Sequence, residues 1–544
     1  MPGGAGYFCA LFSSRSCGVA FGGRLLLRSV RFVERLRLAE LLGGLSLVAD
    51  VGMGLEPGEA GRAALVAMEL ADAVGAEAPT DVYYTTLLQH VGCTAYAHEA
   101  AGMLGGDEIA VKRAAVHTNF HDPRDVLRSY LPNLAPAAGL LSRLRVAGTA
   151  AVRGREIVRG YSRANCEVAA RTAERVGLGA GVAGALIDIY EQWDGKGGAR
   201  GLRGDAIAEP ARIAQVAVTA ALFHRVAGPQ AALDAVRSRS GTALDPGLVE
   251  ALCRHARRVL GVLDVADPIV AAVAVEPGPA VRIPGAGLDR VCRAFGEVVD
   301  LKTPLHHAHC TGVADLASAA GKRAGLGPSD VVALYRAALV HDIGRAAVPN
   351  GIWARRGPLT WTDQERVRLH AYHSERVLAR CGPLAGLAPL AGMHHERLDG
   401  SGYHRQAAAA TIPFAARVLA SADCFQAMTQ VRAHRPARSP SEAADLLAAE
   451  AQAGRLDADA VRAVLDAAGR PVAAMSRPRP GGLTERQVEV LRLVAQGMSN
   501  PQIAQRLVIS RRTAEHHVQD VYARIGVSSR AAAALFAMEH DLLT

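Results

Sequence analysis

The chain carries one helical pattern twice. When the sequence is slid along itself, Leu334-Tyr-Arg-Ala-Ala-Leu-Val-His-Asp-Ile-Gly-Arg345 aligns with Val82-Tyr-Tyr-Thr-Thr-Leu-Leu-Gln-His-Val-Gly-Cys93, with His341 and Gln89 each 14 residues beyond a glycine (Gly327, Gly75). Further on, His394-His-Glu-Arg-Leu-Asp-Gly-Ser-Gly402 aligns with Ile189-Tyr-Glu-Gln-Trp-Asp-Gly-Lys-Gly197, and an Ala-Arg-Val/Ile segment follows each. Self-similarity of this kind implies two copies of one architecture. From Leu38 onward, Leu, Ala and Val recur at i, i+3 and i+4 with Arg and Glu opposite, and strand-like alternation is nearly absent. Ala and Leu are strong helix formers, and aromatics at 4% leave little for a sheet core. The expected fold is all-α, with two tandem helical domains at about 38–260 and 285–469.

At 544 residues the chain is too long for one core. Residues 1–37 carry six Arg and one Glu without a sustained period, and Arg24, Arg28 and Arg31 break every apolar run. They read as a basic tail, either disordered or a short amphipathic helix over Leu25 to Leu38, and not as a secretory signal. Residues 470–482 hold three prolines and no acid, as a linker does. A third unit spans 483–544. No apolar stretch is long enough to span a membrane. The nine cysteines are odd in number, scattered and without CxxC spacing, as expected of reduced cytoplasmic thiols. The net charge of +9 invites a nucleic-acid partner, but the third unit contributes only +1, whereas the linker contributes +3 and the first 38 residues +5.

Within the second repeat, His309, His341, Asp342, His370, His394, His395 and Asp423 fall on helices or helix ends. Imidazole and carboxylate together suit divalent Mn, Fe, Co, Ni or Zn. The apolar helix from Val331 to Val340 ends in His341-Asp342, two polar groups that are costly to bury unpaired, and His394-His395 ends another apolar stretch. Seven such groups could hold two metals, an arrangement suited to phosphodiester hydrolysis.

These motifs resemble those of the HD-GYP phosphohydrolases, a branch of the HD superfamily. His309-Cys-Thr-Gly-Val313 is similar to the opening H-S-x-x-V, His341-Asp342-Ile-Gly-Arg345 to HD-x-G-K, and His394 to His404 to HHE-R-x-DG-x-GYP. Ala-Asp423-Cys-Phe425 matches the late Asp, and His370, eight residues before Leu378, the middle histidine. The resemblance implies two divalent cations, Mn, Fe or similar, on the seven ligands. It implies hydrolysis of a cyclic dinucleotide or related phosphodiester or nucleotide, with Asp342 and Arg345 as catalytic groups. Arg397, Asp399, Gly400, Gly402 and Tyr403 would bind the ligand. Three positions depart from the pattern: Arg345 stands for Lys, GYP reads Gly402-Tyr403-His404, and Leu305 stands where some members place a Glu. The first repeat has Gln89-His90, Ile189-Tyr190, Val218 and Cys93 at aligned positions, with Pro57 or Gly58 near the opening histidine, so it is expected to be a degenerate scaffold or sensor. Residues 107–165 have no counterpart in the second repeat.

In the third unit, Thr484 and Gln487 form a capping box before an apolar stripe that ends at Gly497. A short helix from Ser499 to Leu507 follows, then a second that opens at the N-cap Ser510 and closes at Gly526, the layout of a helix-turn-helix. The stretch resembles the LuxR/NarL-type DNA-binding domain through Leu-Thr-x-Arg-Gln, Gly-Met-Ser-Asn-x-x-Ile-Ala and Ile-Ser-x-x-Thr-x-x-x-His-Val. The resemblance implies a four-helix domain on double-stranded DNA, with Ser510, Arg511, Arg512, Thr513, His516, His517 and Arg530 at the interface. It also implies a homodimer through a fourth helix from Arg530 to Asp541. The expectation is a cytoplasmic DNA-binding regulator coupled to a phosphohydrolase or sensor module. The alternative is a nucleotide phosphohydrolase in which the DNA-binding domain is accessory.

Overall fold

The computed structural model describes residues 35–135, 139–470, 483–540 and Leu542. Most of the expected tail (1–34) and of the linker (471–482) lies outside the described residues. Helices dominate, and the strands among the described residues are Arg35–Arg37 and Arg282–Pro284, paired antiparallel. Residues 35–37, read from sequence as part of the tail, are thus held by a segment from between the repeats.

The duplication is visible bond by bond. In the first repeat the helix Glu59–Val74 packs on Pro79–Leu88 and Glu209–Arg237; in the second His309–Arg323 packs on Pro328–Val340 and Phe414–Thr429. Arg212 donates to Ile207 O (3.1 Å) and pairs with Asp245 (2.6 Å), and Arg417 donates to Ile412 O (2.8 Å) and pairs with Asp457 (3.0 Å). Both aspartates cap the helix that follows them. Buried Glu191 accepts from the amides nine and eleven residues later (2.8 and 3.0 Å), and buried Glu396 does the same (3.1 and 2.8 Å). A carboxylate that ties a loop to itself through two amides fixes the loop's path, and both copies retained it.

The repeats share their largest core. The first helix, Leu38–Gly52, is buried along nearly its whole length and lies on the Ile343–Ala347 turn and the helix Trp361–Ala379 of the second repeat. A methyl group at Gly44 would sit 2.4 Å from Cys381 Cβ, so glycine permits the approach. Leu38, Leu41, Leu42 and Leu45 therefore join Leu334, Leu378 and Leu419 in one core. A smaller core of Val66, Leu70, Ile213, Val216 and Leu252 belongs to the first repeat alone. Helix Glu209–Arg237 breaks at Ala227-Gly228 ahead of Pro229. The described residues of 107–165 form the helix Glu108–His117, a run of turns and much of the 37-residue helix Leu140–Val176.

The C-terminal helices Glu485–Ala495, Asn500–Leu507, Arg511–Ile525 and Arg530–Glu539 enclose their own core of Val490, Leu491, Ile503, Val518, Val521 and Ala537. Thr484 and Ser499 form capping boxes and Ser510 caps the third helix. Among the described residues no helix is long and apolar enough to cross a membrane.

Candidate metal centre

The seven residues picked out by sequence converge. His309 opens its helix behind Ala308, a non-glycine residue in the left-handed region (φ 55°). His341 ends the apolar helix Pro328–Val340, and Asp342 begins the Ile343–Ala347 turn. A methyl at Gly344 would lie 2.0 Å from His370 O, so the glycine of this motif lets the turn press against the helix that carries His370. His394-His395 follows the short helix Ala388–Gly392, and Asp423 lies within Phe414–Thr429.

Asp342 is the hub. Its Oδ2 lies 3.3 Å from His309 Nε2 and 3.0 Å from His341 Nε2, while Oδ1 lies 3.1 Å from His370 Nε2 and 3.4 Å from His394 Nε2. Asp423 adds Oδ1 at 3.1 Å from His309 Nε2 and Oδ2 at 3.7 Å from His395 Nδ1. Two donor groups result: His309, His341, Asp342 and Asp423 in one, and His370, His394 and His395 in the other, next to the second Asp342 oxygen. The rings are oriented from behind. Nδ1 of His341, His370 and His394 donates to the carbonyl three residues earlier, at 2.7, 2.5 and 2.7 Å, and Nδ1 of His309 donates to Gln430 Oε1 at 2.9 Å. This fixes the tautomer that leaves each Nε2 lone pair aimed at the centre, the arrangement of metal-ligating histidines. His370 and His394 face each other Nε2 to Nε2 at 3.1 Å. His341 Nε2 and both Asp342 oxygens are buried without a hydrogen bond of acceptable angle. Such convergence of lone pairs is costly unless a cation sits among them, so the donor set fits divalent metal.

The electrostatics agree. Burial opposes charge on Asp342, but Arg345 and the histidines hold its carboxyl well below the usual range; the histidines do the same for buried Asp423. Burial also opposes charge on His341, yet the Asp342 and Asp423 carboxylates raise it to about 10, so a divalent cation held there would take the place of its Nε2 proton. His394 is pushed down to about 4 by burial. Arg345 is buried, lies 2.6 Å from Asp342 Oδ2 through Nη2, stacks over Trp353, and keeps Nε and Nη1 unpartnered.

The predicted ligand residues divide by role. Tyr403 stacks on the His395 ring (4.2 Å, 31°) under Arg368, and Arg397 donates to Cys424 Sγ (3.2 Å) and Glu396 O (2.8 Å), so both border the site. Asp399 instead accepts from Ser401 N (3.0 Å) and Oγ (2.6 Å) at the positive-φ Gly400, which makes it a turn former facing solvent. Gly402 lets the loop pass Glu396, and His404 lies 3.4 Å from Glu375. Sequence reading missed Gln430 and Arg432. Arg432 donates to Leu305 O (2.7 Å) and reaches Gln430 Oε1 (3.3 Å) from the loop after the Asp423 helix; its only sequence signal was nearness to Asp423.

Among the described residues the first repeat has no such cage. Asp50 and Asp300 each accept amides from the start of the next helix, and Gly58 (φ 107°) and Ala308 occupy the same N-cap position. The residue standing where His309 does is therefore Glu59, one or two places beyond Pro57 and Gly58. It is buried and ion-paired with Arg225, the counterpart of Gln430. A salt bridge has replaced a ligand and its supporting amide.

In the C-terminal unit, Arg511, Arg512, Thr513 and His516 are exposed on one helix and His517 is half-buried. Ser510 Oγ is committed to the Thr513 amide. Arg530 turns inward to Met498 O and Asn500 Oδ1, so it braces the helices and does not present its charge outward.

Comparison with known proteins follows this geometry. Residues 293–460 match the HD domain and residues 482–537 the luxR family of bacterial regulatory proteins. The chain is thus an HD-domain protein with a C-terminal luxR-type helix-turn-helix. It is 28% identical over 407 residues to 3'3'-cGAMP-specific phosphodiesterase 3 of Vibrio cholerae, an alignment covering 74% of this chain and 88% of that one. It is 36% identical over 167 residues to 3'3'-cGAMP-specific phosphodiesterase 1 of the same organism, covering 31% of this chain and 39% of the relative. A crystal structure of a cyclic GMP-AMP-specific phosphodiesterase of V. cholerae superposes on 80% of this chain and 98% of its own with a TM-score of 0.55 at 24% identity, which shows a shared fold.

Proposed function

We propose that the second repeat is a metal-dependent phosphodiesterase acting on a cyclic dinucleotide, and that the C-terminal domain places this activity on DNA. The observation that carries the reading is Asp342, whose two oxygens face two separate histidine groups, a donor set that would hold two divalent cations. His309, His341, Asp342 and Asp423 would hold one cation, and Asp342, His370, His394 and His395 the other. Bound divalent cations would supply Lewis-acid neutralisation of the phosphoryl oxygens and activation of the attacking water. Arg345 holds Asp342 ionised with one nitrogen and has Nε and Nη1 left for a phosphate oxygen. Tyr403 and Arg368 offer an aromatic-cationic wall on which a base can stack. The relatives named cGAMP-specific phosphodiesterases favour a cyclic dinucleotide among phosphodiesters.

The luxR-type domain would act as a homodimer, because Leu535 and Met538 on its last helix are both more than half exposed (52% and 55%). The test of the enzyme is direct. Protein purified with Mn or Fe is expected to hydrolyse a cyclic dinucleotide, and His341→Ala and Asp342→Ala are expected to lose turnover together with bound metal. No turnover of any cyclic dinucleotide by metal-loaded protein would overturn the reading.

A further inference from the structure

A cavity of about 450 Å³ opens where the two repeats meet. Val48, Val51 and Leu55 of the first repeat and Ile343, Ala346 and Val377 of the second give it apolar walls. None of the seven ligand candidates lines it, and neither does Arg345. Six basic side chains gather round it: Arg113, His117 and Arg225 from one repeat, His373, Arg376 and Arg380 from the other. The carboxylate among the lining residues is Glu56.

Carboxylates outside the cavity neutralise part of this charge and leave part of it free. Arg225 is paired with Glu59, and Arg380 lies 3.1 Å from Asp267. Among the described residues, Arg113 and Arg376 have no carboxylate partner, and both are exposed. Burial pushes the His373 imidazole down and Arg376 reinforces this, so it adds less to the cationic character than the guanidinium groups do. Two guanidinium groups without a carboxylate partner, brought from different repeats to the wall of one cavity with apolar lining, suit an anionic ligand. Guanidinium matches phosphate through paired N–H donors, and the floor suits an aromatic base. The volume lies in the range of small-molecule sites, roughly 300–1,000 Å³.

We propose that this seam cavity binds a phosphate-bearing nucleotide at a site separate from the metal centre, with Arg113 and Arg376 taking the phosphate and the Val51–Ile343 floor taking the base. The assignment does not depend on turnover at the metal centre. It has a consequence for that centre, because the floor residues Ile343, Gly344 and Ala346 flank Arg345, the residue that holds Asp342. A ligand resting on one side of this turn therefore presses on the positioning of the metal ligands from the other.

The test uses the full-length His394→Ala chain, in which the metal centre is disabled, with melting by circular dichroism confirming that each variant is folded. Isothermal titration with 5′-AMP, 5′-GMP and ATP is expected to show one site per chain for at least one of them. Adding R113E/R376E is expected to weaken that site at least tenfold, and R113K/R376K to weaken it much less. Equal affinity in the charge-reversed chain, or no binding of any of the three, overturns the proposal. Inorganic phosphate binding as tightly as the nucleotides overturns the assignment of a nucleotide.

Discussion

Asp342 and Asp50 are both fully buried carboxylates, and their surroundings push them in opposite directions. Asp342 lies beside Arg345 and four imidazoles and is held ionised. Asp50 accepts only amides, from Gly58 (2.8 Å) and Ala60 (3.3 Å), and burial pushes its carboxyl up to about 7. Between the ordinary aspartate value of 3.8 and about 7, the unfolded chain releases a proton that the folded chain keeps. Stability therefore falls as pH rises through that window, by about 4 kcal/mol at most, and is flat above it. Asp50→Asn keeps an oxygen for the Gly58 amide and removes the titration. It is expected to melt higher relative to the unsubstituted chain at pH 7.5 than at pH 5, in parallel scans at both values; a difference unchanged with pH would count against a neutral Asp50. At this scale the sequence was most informative where ligands are adjacent, as in His341-Asp342 and His394-His395, since two neighbouring polar groups on an apolar helix end announce themselves. Glu59 and Gln430 were not legible, because each acquires its role only when two distant helices meet.

At the scale of elements, the Ile343–Ala347 turn is held from outside its own repeat. Lys302, 2% exposed, donates to Ala346 O (3.0 Å) and pairs with Glu108 Oε1 (3.0 Å), and the other Glu108 oxygen accepts from Asn350 N (2.8 Å). Gly351 N donates to Gly106 O at 2.9 Å beside it. The segment that begins at about residue 107 thus supplies a buried carboxylate that holds the C-terminal end of the turn carrying Arg345, through Lys302 at Ala346 and directly at Asn350 just beyond it. Its place could not be read from periodicity, because a lone Glu at the start of a helix reads as an ordinary first-turn acid. Glu108→Ala leaves the Lys302 ammonium buried and unpaired, at an expected cost of about 3–5 kcal/mol. Calorimetry is expected to rank the chains with Glu108→Ala lowest and the apolar pair Glu108→Leu/Lys302→Met well above it. A single variant that melts with the unsubstituted chain would show the pair to be unimportant.

For the molecule as a whole, the repeat and the helical class were legible from sequence, but the sharing of one core was not. The run Leu38–Val48 looks like an amphipathic first helix of one domain, and its burial on all sides appears only once the second repeat covers it. Charge follows a similar logic. The excess of +9 sits mainly outside the C-terminal unit, so affinity for DNA must come from where a few arginines stand. Arg511 is 73% exposed in its side chain and held only by Glu515, one helical turn on (2.9 Å), whereas Arg530 spends its donors inside the domain. The two should separate in experiment. With each of these arginines on a phosphate, Arg511→Ala/Arg512→Ala would remove two contacts, so affinity for duplex DNA, measured by fluorescence anisotropy on the full chain, should fall and the slope of log K against log salt should flatten by about 2. Arg530→Ala should leave that slope unchanged while lowering the melting temperature of the C-terminal unit, because Met498 O and Asn500 lose their donor. Should Arg530→Ala flatten the salt dependence as much as the Arg511/Arg512 pair, its guanidinium would have to swing outward on DNA, and the internal bracing described for it would not survive binding.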